Sequence, residues 1–340
     1  MRGLSSILIL RALMTSINRS RHDKVDPWQE FDLIGGTSTG GLLAIMLGRL
    51  RMSVQDCEKA YSDLAGSLFT PRHGRSDVVS RAVDFLKANG RFDETPLEEN
   101  VKARIADAGL DENELLEDER QGTCKVFVNL FSVYKVILMD YSFVCATQVH
   151  DNSPILLRSY ENHTSFGEVA GLKIWEAARA TSAATTFFDP VEIGDHKELF
   201  ADGALHYNNP MEMVLQEAKE LWPNDELLLL SIGTGTAPGQ SINEGLLSVV
   251  EQLKRIATET EQTAQRFLRV HSDLVSANQL FRFNVYHGLG TIGLDESKEL
   301  AQIAARTRTY LREPEVSWKM SLCAKSFLVL SCSKDLNKGV

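Results

Sequence analysis

Gly36-Thr37-Ser38-Thr39-Gly40 is the stretch on which the reading of this chain turns. It follows the short apolar run Phe31-Asp32-Leu33-Ile34 and opens a longer one, Leu42-Leu43-Ala44-Ile45-Met46-Leu47. A strand that turns sharply through glycines into a buried helix leaves Ser38 at the apex, its hydroxyl exposed and the helix N-terminal N–H groups beneath it. That is the position of a nucleophile. The spacing has a steric reason: the tight turn crowds the positions two before and two after the serine, so Gly36 and Gly40 must lack side chains. A G-x-S-x-G match alone arises by chance in roughly one chain in ten of this size. The strand-like run before it and the helix-like run after it are what separate it from a structural glycine turn. No lysine follows the last glycine, so the loop is not a phosphate-cradling P-loop.

Outward from this turn, 340 residues make one large domain or two ordinary ones, and 43% apolar residues are enough for a sizeable core. A net charge of −10, with acids spread along the chain, argues against nucleic acid as a partner and leaves no basic patch for anionic lipid headgroups. Membrane contact, where it occurs, is therefore expected to be apolar and peripheral. Cys57, Cys124, Cys145, Cys323 and Cys332 are scattered, with no C-x-x-C pair, and read as reduced thiols of a cytoplasmic protein. The apolar stretch from Leu4 to Met14 is broken by Arg11 and lacks a cleavage site, so it is not read as a signal peptide. Residues 126–146 contain Asn129, Lys135 and Asp140, which disfavours a spanning helix.

Apolar positions at spacings of three and four from Leu4 to Ile17 predict a helix with a broad apolar face, where a preceding strand would be usual. Further helices are expected over 41–50, 55–69, 76–87, 97–108, 173–184, 211–221, 246–256, 261–274 and 298–311. Strands are expected over 125–128, 143–147, 155–160, 199–201 and 227–232. Asn209-Pro210 starts the helix at Met211, and residues 112–119 read as an acidic, solvated stretch. Strands alternating with helices predict an α/β fold with a largely parallel sheet and sites at the carboxyl ends of its strands. Ser38 and Asp202 both fall at such ends.

A serine hydroxyl needs a base within hydrogen-bond reach, and its oxyanion needs N–H donors about 3 Å away. In a triad, His206, His271 and His287 all follow Asp202 in the order usual for hydrolases, but none has a telling local setting. In a dyad, Asp202 itself takes the proton. An aspartate near its reference pKa of about 3.9 is a weak base, so this needs a water-poor site. The Asp202-Gly203 turn does not decide the matter, because Asp-Gly is a common turn dipeptide. A cysteine nucleophile has no local support.

Gly36-Thr37-Ser38-Thr39-Gly40-Gly41, followed far downstream by Ala201-Asp202-Gly203-Ala204 and Asn208-Asn209-Pro210, resembles the patatin-like phospholipase family. The likeness extends through Phe31-Asp32-Leu33-Ile34, the segment from Ala177 to Ala184 and Leu230-Ser231-Ile232-Gly233-Thr234-Gly235, covering roughly Arg2 to Leu311. The resemblance implies a three-layer α/β/α fold over residues 1–313, with 314–340 as a tail holding either a docked strand or a frayed end. It implies hydrolysis of acyl esters in phospholipids and related lipids, with Ser38 as nucleophile and Asp202 as base. The elbow would be Gly36, Thr37, Thr39 and Gly40, and the base turn Gly203. Neither metal nor cofactor is implied, and no EF-hand pattern is present.

Two features depart from the family pattern. Members carry a glycine-rich D-G-G-G-x-R-G loop after a first strand, whose N–H groups form the oxyanion hole, and only Arg2 and Gly3 match it here. Loss of one such donor typically costs about 100- to 1000-fold in rate. Residues 129–142 look inserted into what would be one strand. Together the two departures read as an imperfect gene model with a missing start and a retained segment. The alternative expectation is a patatin-like scaffold that binds lipid or protein without turnover.

Overall fold

The computed structural model describes residues 2–67, 92–118, 141–162, 169–184, 188–235, 249–286 and 299–336. The expected helix over 76–87, the strand over 125–128, most of the inserted segment and His287 lie outside these residues. Tyr141 and Ser142, the last two residues of that segment, open a strand of the central sheet.

In chain order the elements are α1 (Gly3–Asn18), α2 (Pro27–Glu30), β1 (Leu33–Thr37), α3 (Thr39–Ala44), α4 (Val54–Ser67) and α5 (Thr95–Asp107). There follow β2 (Tyr141–Gln148), β3 (Ser153–Arg158), α6 (Ile174–Thr181), β4 (Val191–Ile193), β5 (Glu198–Asp202), α7 (Ala204–Tyr207) and α8 (Met211–Leu221). The chain continues through β6 (Leu229–Ile232), α9 (Val249–Val270), α10 (Ser272–Ser276), β7 (Leu280–Phe283), α11 (Leu300–Arg312) and α12 (Pro314–Leu336). This is a mixed α/β fold, as expected. Its first helix is apolar nearly all round because it is covered nearly all round. Residues Ile7, Ile9, Leu13 and Ile17 are fully buried, and α1 packs on α4, α11 and α12. Burial of each such side chain contributes about 1.5–3 kcal/mol.

The sheet is mixed rather than largely parallel. The pairs β1–β2 and β6–β7 are parallel, whereas β2–β3, β2–β5 and β4–β5 are antiparallel. A run of apolar residues identifies a buried strand but carries no sign of its direction, which is set by the neighbour it meets. Register supplies the geometry that matters. β3 lies along one edge of β2, from Phe143 to Gln148, so β1 and β5 share the opposite edge. Thr37 pairs with Cys145 and Asp202 with Ala146, so the carboxyl ends of β1 and β5 meet at neighbouring positions of one strand.

Three expectations are corrected. The stretch 112–118 is only partly solvated: Glu112, Asn113, Leu115 and Glu117 are exposed, but Leu116 and Asp118 are buried, and the buried Arg49 guanidinium donates to the carbonyls of Leu115, Leu116 and Glu117 at 2.8, 2.8 and 3.4 Å. Acidic composition hid a cation waiting on another element. The helices expected near 246–256 and 261–274 are largely one, α9, with the short α10 after it. Residues 314–336 are neither strand nor frayed end but the helix α12, whose Met320, Cys323 and Phe327 are buried and which packs on α1. The folded surface also gathers basic residues that the linear sequence keeps apart. Arg11, Arg19 and Arg308 line a groove of about 340 Å³ between α1, α11 and α12, with Leu8 and Met320 in its wall.

Candidate active site

Ser38 sits between the end of β1 and the start of α3 with φ 55° and ψ −126°, a backbone conformation that residues with a side chain rarely adopt. Gly36 permits it: a Cβ there would lie 2.0 Å from the Gly40 carbonyl oxygen. Gly40 does not share that role, since a Cβ on it meets nothing within 4 Å. The crowding expected two residues after the serine falls one position later, on Gly41, whose Cβ would lie 2.5 Å from Thr181 Oγ1. The helix behind the turn is short in its α form. It passes into a π-helical turn over Ile45–Arg49, and both parts are buried.

Asp202 closes β5 and is 3% exposed. Its carboxylate accepts a hydrogen bond at 2.8 Å from the Ala204 N–H, and the Ser38 hydroxyl is near enough to favour its charged form as well. Burial raises its pKa to about 7, against the opposing pull of those two donors. Gly203 is required by packing, because a Cβ there would lie 2.4 Å from the Cys145 carbonyl oxygen. A carboxylate titrating near neutral pH beside a serine hydroxyl has the protonation range that general base chemistry needs.

Of the candidate histidines, the two among the described residues are placed elsewhere: His206 is exposed, and His271 is tilted against Phe267 with ring centroids 4.4 Å apart. Cys145 is buried beside Asp202, and its thiol is pushed up to about 12, which leaves it a poor nucleophile. Cys57 and Cys323 are likewise buried and unpaired with another cysteine. Among the described residues no cluster of three or more His, Cys, Asp or Glu is placed to hold a metal ion.

Gly3 lies against the elbow from the other side: a Cβ on it would be 2.1 Å from Thr39 Cγ2. The Tyr61 hydroxyl, 2.7 Å from where a Gly3 Cβ would be, faces Gly3 and Thr39 and is raised to about 12 by burial. Arg2 precedes Gly3 at the start of α1, half-buried, with its guanidinium pKa lowered by desolvation.

Several neighbours of the site are invisible to motif reading. Thr181 Oγ1 accepts the Ser38 N–H at 3.0 Å and donates to the Cys145 carbonyl at 2.8 Å. The Ala183 carbonyl accepts the Asp202 N–H at 3.0 Å, and Tyr61 faces both Gly3 and Thr39. The only trace of this in the sequence is the density of small residues from Ala177 to Ala184, which signals close packing without saying against what.

A buried helix rising from a strained serine, with an aspartate at the end of a second strand paired to β2, is the frame of this α/β protein. The model of the family Patatin-like phospholipase matches residues 1–215, and the chain belongs to that family. Calcium-independent phospholipase A2-gamma of Homo sapiens is 28% identical over 332 residues, covering 94% of this chain and 38% of that protein. Phospholipase A I of Arabidopsis thaliana is 27% identical over 333 residues, covering 87% and 25% respectively. The cGAMP-activated phospholipase of Escherichia coli strain TW11681 is 28% identical over 254 residues, covering 73% and 62%. The chain thus spans well under half the length of the first two. Among the described residues no helix is long and apolar enough to cross a membrane.

Proposed function

We propose that this chain is a serine lipid acyl hydrolase of phospholipase A type, cleaving acyl esters of phospholipids or related lipids through a Ser38–Asp202 dyad. The observation that carries the reading is the placement of the strained Ser38 beside the buried Asp202, whose pKa burial raises to about 7. In the first half-reaction the Asp202 carboxylate takes the Ser38 proton as Oγ attacks the ester carbonyl carbon. The tetrahedral intermediate collapses, the alcohol or lysolipid leaves with the proton from Asp202, and the acyl group remains on Oγ. Water then attacks the acyl carbonyl and gives its proton to Asp202. Collapse releases the fatty acid and returns the proton to Ser38. The Thr39 N–H, following the nucleophile, is the oxyanion donor this geometry supports best. The relatives' names support the lipid substrate, and contact with the membrane would be peripheral, from the cytoplasm.

A second reading, a patatin-like scaffold that binds lipid or protein without turnover, is favoured by one observation. Gly3, the remnant of the oxyanion loop, is crowded by the Tyr61 hydroxyl and the Thr39 side chain rather than open to an oxyanion. Hydrolysis of a short-chain nitrophenyl ester and of phospholipid in mixed micelles separates the two, with Ser38→Ala and Asp202→Asn as controls. Turnover lost in both variants is expected from the dyad. A folded chain that neither turns over nor labels at Ser38 with a fluorophosphonate would overturn it in favour of the scaffold.

A further inference from the structure

We propose that the segment Thr181-Ser182-Ala183 is the positioning element that sets Ser38 against Asp202, with the Thr181 hydroxyl as its working contact. The inference rests on the dyad reading above. It starts from strain. A serine at φ 55° persists only where its surroundings hold it there, because the conformation itself costs of order 1–3 kcal/mol. On its carbonyl side Ser38 is held as part of the helix, by the Leu42 N–H at 3.0 Å. On its amide side the holding group is Thr181 Oγ1, at 3.0 Å.

That hydroxyl has one proton, and the proton is committed to the Cys145 carbonyl at 2.8 Å. The orientation leaves its lone pairs toward Ser38, so the two hydrogen bonds fix each other. Thr181 is completely buried, so no water can stand in for it. Its remaining bulk occupies the space that Gly41 vacates, with Thr181 Cγ2 only 2.7 Å from where a Gly41 Cβ would be. The glycine after the elbow is therefore explained by the threonine, not by the turn.

Two residues further on, the Ala183 carbonyl accepts the Asp202 N–H at 3.0 Å. One short segment at the end of α6 thus receives the backbone N–H of both members of the dyad. The third point of the frame is the Cys145 carbonyl, which Thr181 grips and against which Gly203 packs. Cys145 and Ala146 are the β2 residues paired with Thr37 and Asp202. A side chain on α6 and a strand edge therefore define one distance between two residues that neither β1 nor β5 could set alone. Misplacement of reacting groups by about 1 Å can cost on the order of 100-fold in rate.

The test compares Thr181→Val, Thr181→Ala and Thr181→Ser in the full chain, beside wild type and Ser38→Ala. The hydroxyl-free variants are expected to lose about 30- to 100-fold in kcat with KM changed by less than about twofold. The serine variant, which keeps both hydrogen bonds, is expected to stay within about fivefold of wild type. A looser Ser38 also favours the charged form of Asp202 less, so the acid limb of the kcat profile should move to higher pH in the hydroxyl-free variants only. A role confined to stability would lower the melting temperature without moving that limb. Thr181→Val and Thr181→Ala with kcat close to wild type, while Ser38→Ala is inactive, would overturn this inference and leave the dyad standing. Hydroxyl-free variants that never fold while Thr181→Ser does would make the segment a folding element and overturn it as well. An active Ser38→Ala would instead remove the dyad and this inference with it.

Discussion

The Ser38 hydroxyl neighbours the Asp202 carboxylate and pulls its pKa down, although β1, which leads into Ser38, and β5, which ends at Asp202, do not pair with each other. Both strands pair with β2 on the same edge, one parallel and one antiparallel, so each delivers its last residue to the same point. A carboxylate delivered by a strand end stands in a dry, fixed place, and burial there accounts for its raised pKa.

Activity should therefore rise with pH through about 7, as Asp202 loses its proton and becomes able to accept one from Ser38. Stability should run the other way. The folded carboxyl binds its proton more tightly than the unfolded one, so between pH 4 and 7 the native state holds more protons and stability falls as pH rises. The loss would be on the order of a few kcal/mol at most. Thermal melting of wild type and Asp202→Asn at pH 5 and pH 8 checks this, with the variant gaining on wild type at the higher pH. A wild-type activity profile flat from pH 5 to 8 would contradict the assignment of Asp202 as base.

The two glycines of the elbow should behave differently despite their symmetric spacing about the serine. Gly36→Ala drives a Cβ into the backbone at Gly40, so loss of folding or of at least 100-fold in activity is expected. Gly40→Ala meets open space and lies in a helix, where alanine is favoured over glycine by about 1 kcal/mol, so melting should be unchanged or raised. Equal damage from the two substitutions would show that the turn, rather than the local packing, sets the requirement.

α12 should behave as part of the core. Phe327 packs edge-on against Phe31 with centroids 5.2 Å apart and is buried, so Phe327→Ala should cost about 3 kcal/mol in denaturant unfolding. A change below about 0.5 kcal/mol would mean that the helix is detached in solution.

Some of this architecture was legible because its causes are local. The elbow needs only a strand, a glycine, a serine and an apolar helix in succession, and α1, α4, α5 and α8 follow from apolar periodicity within single windows. Asp202 could be placed at a strand end for the same reason. The burial of Leu116 and Asp118 was not legible, because the reason for it is Arg49 on a distant helix. The role of residues 314–336 was missed because α12 has an apolar run but no clean amphipathic stripe, and it is the facing surface of α1 that makes it a core helix.

By itself the sequence determined that Ser38 would stand on a sharp turn before a buried helix, since steric exclusion at Gly36 and the flanking apolar runs act over a few residues. It also narrowed the base to Asp202 or a histidine beyond it. Only the tertiary structure decided that Asp202 lies beside Ser38, that β5 arrives antiparallel, and that Thr181 and Ala183 hold both backbones. Hydrogen bonds between residues far apart in the chain leave no spacing to read. They exist only once β2 has brought β1, β5 and the end of α6 to one place.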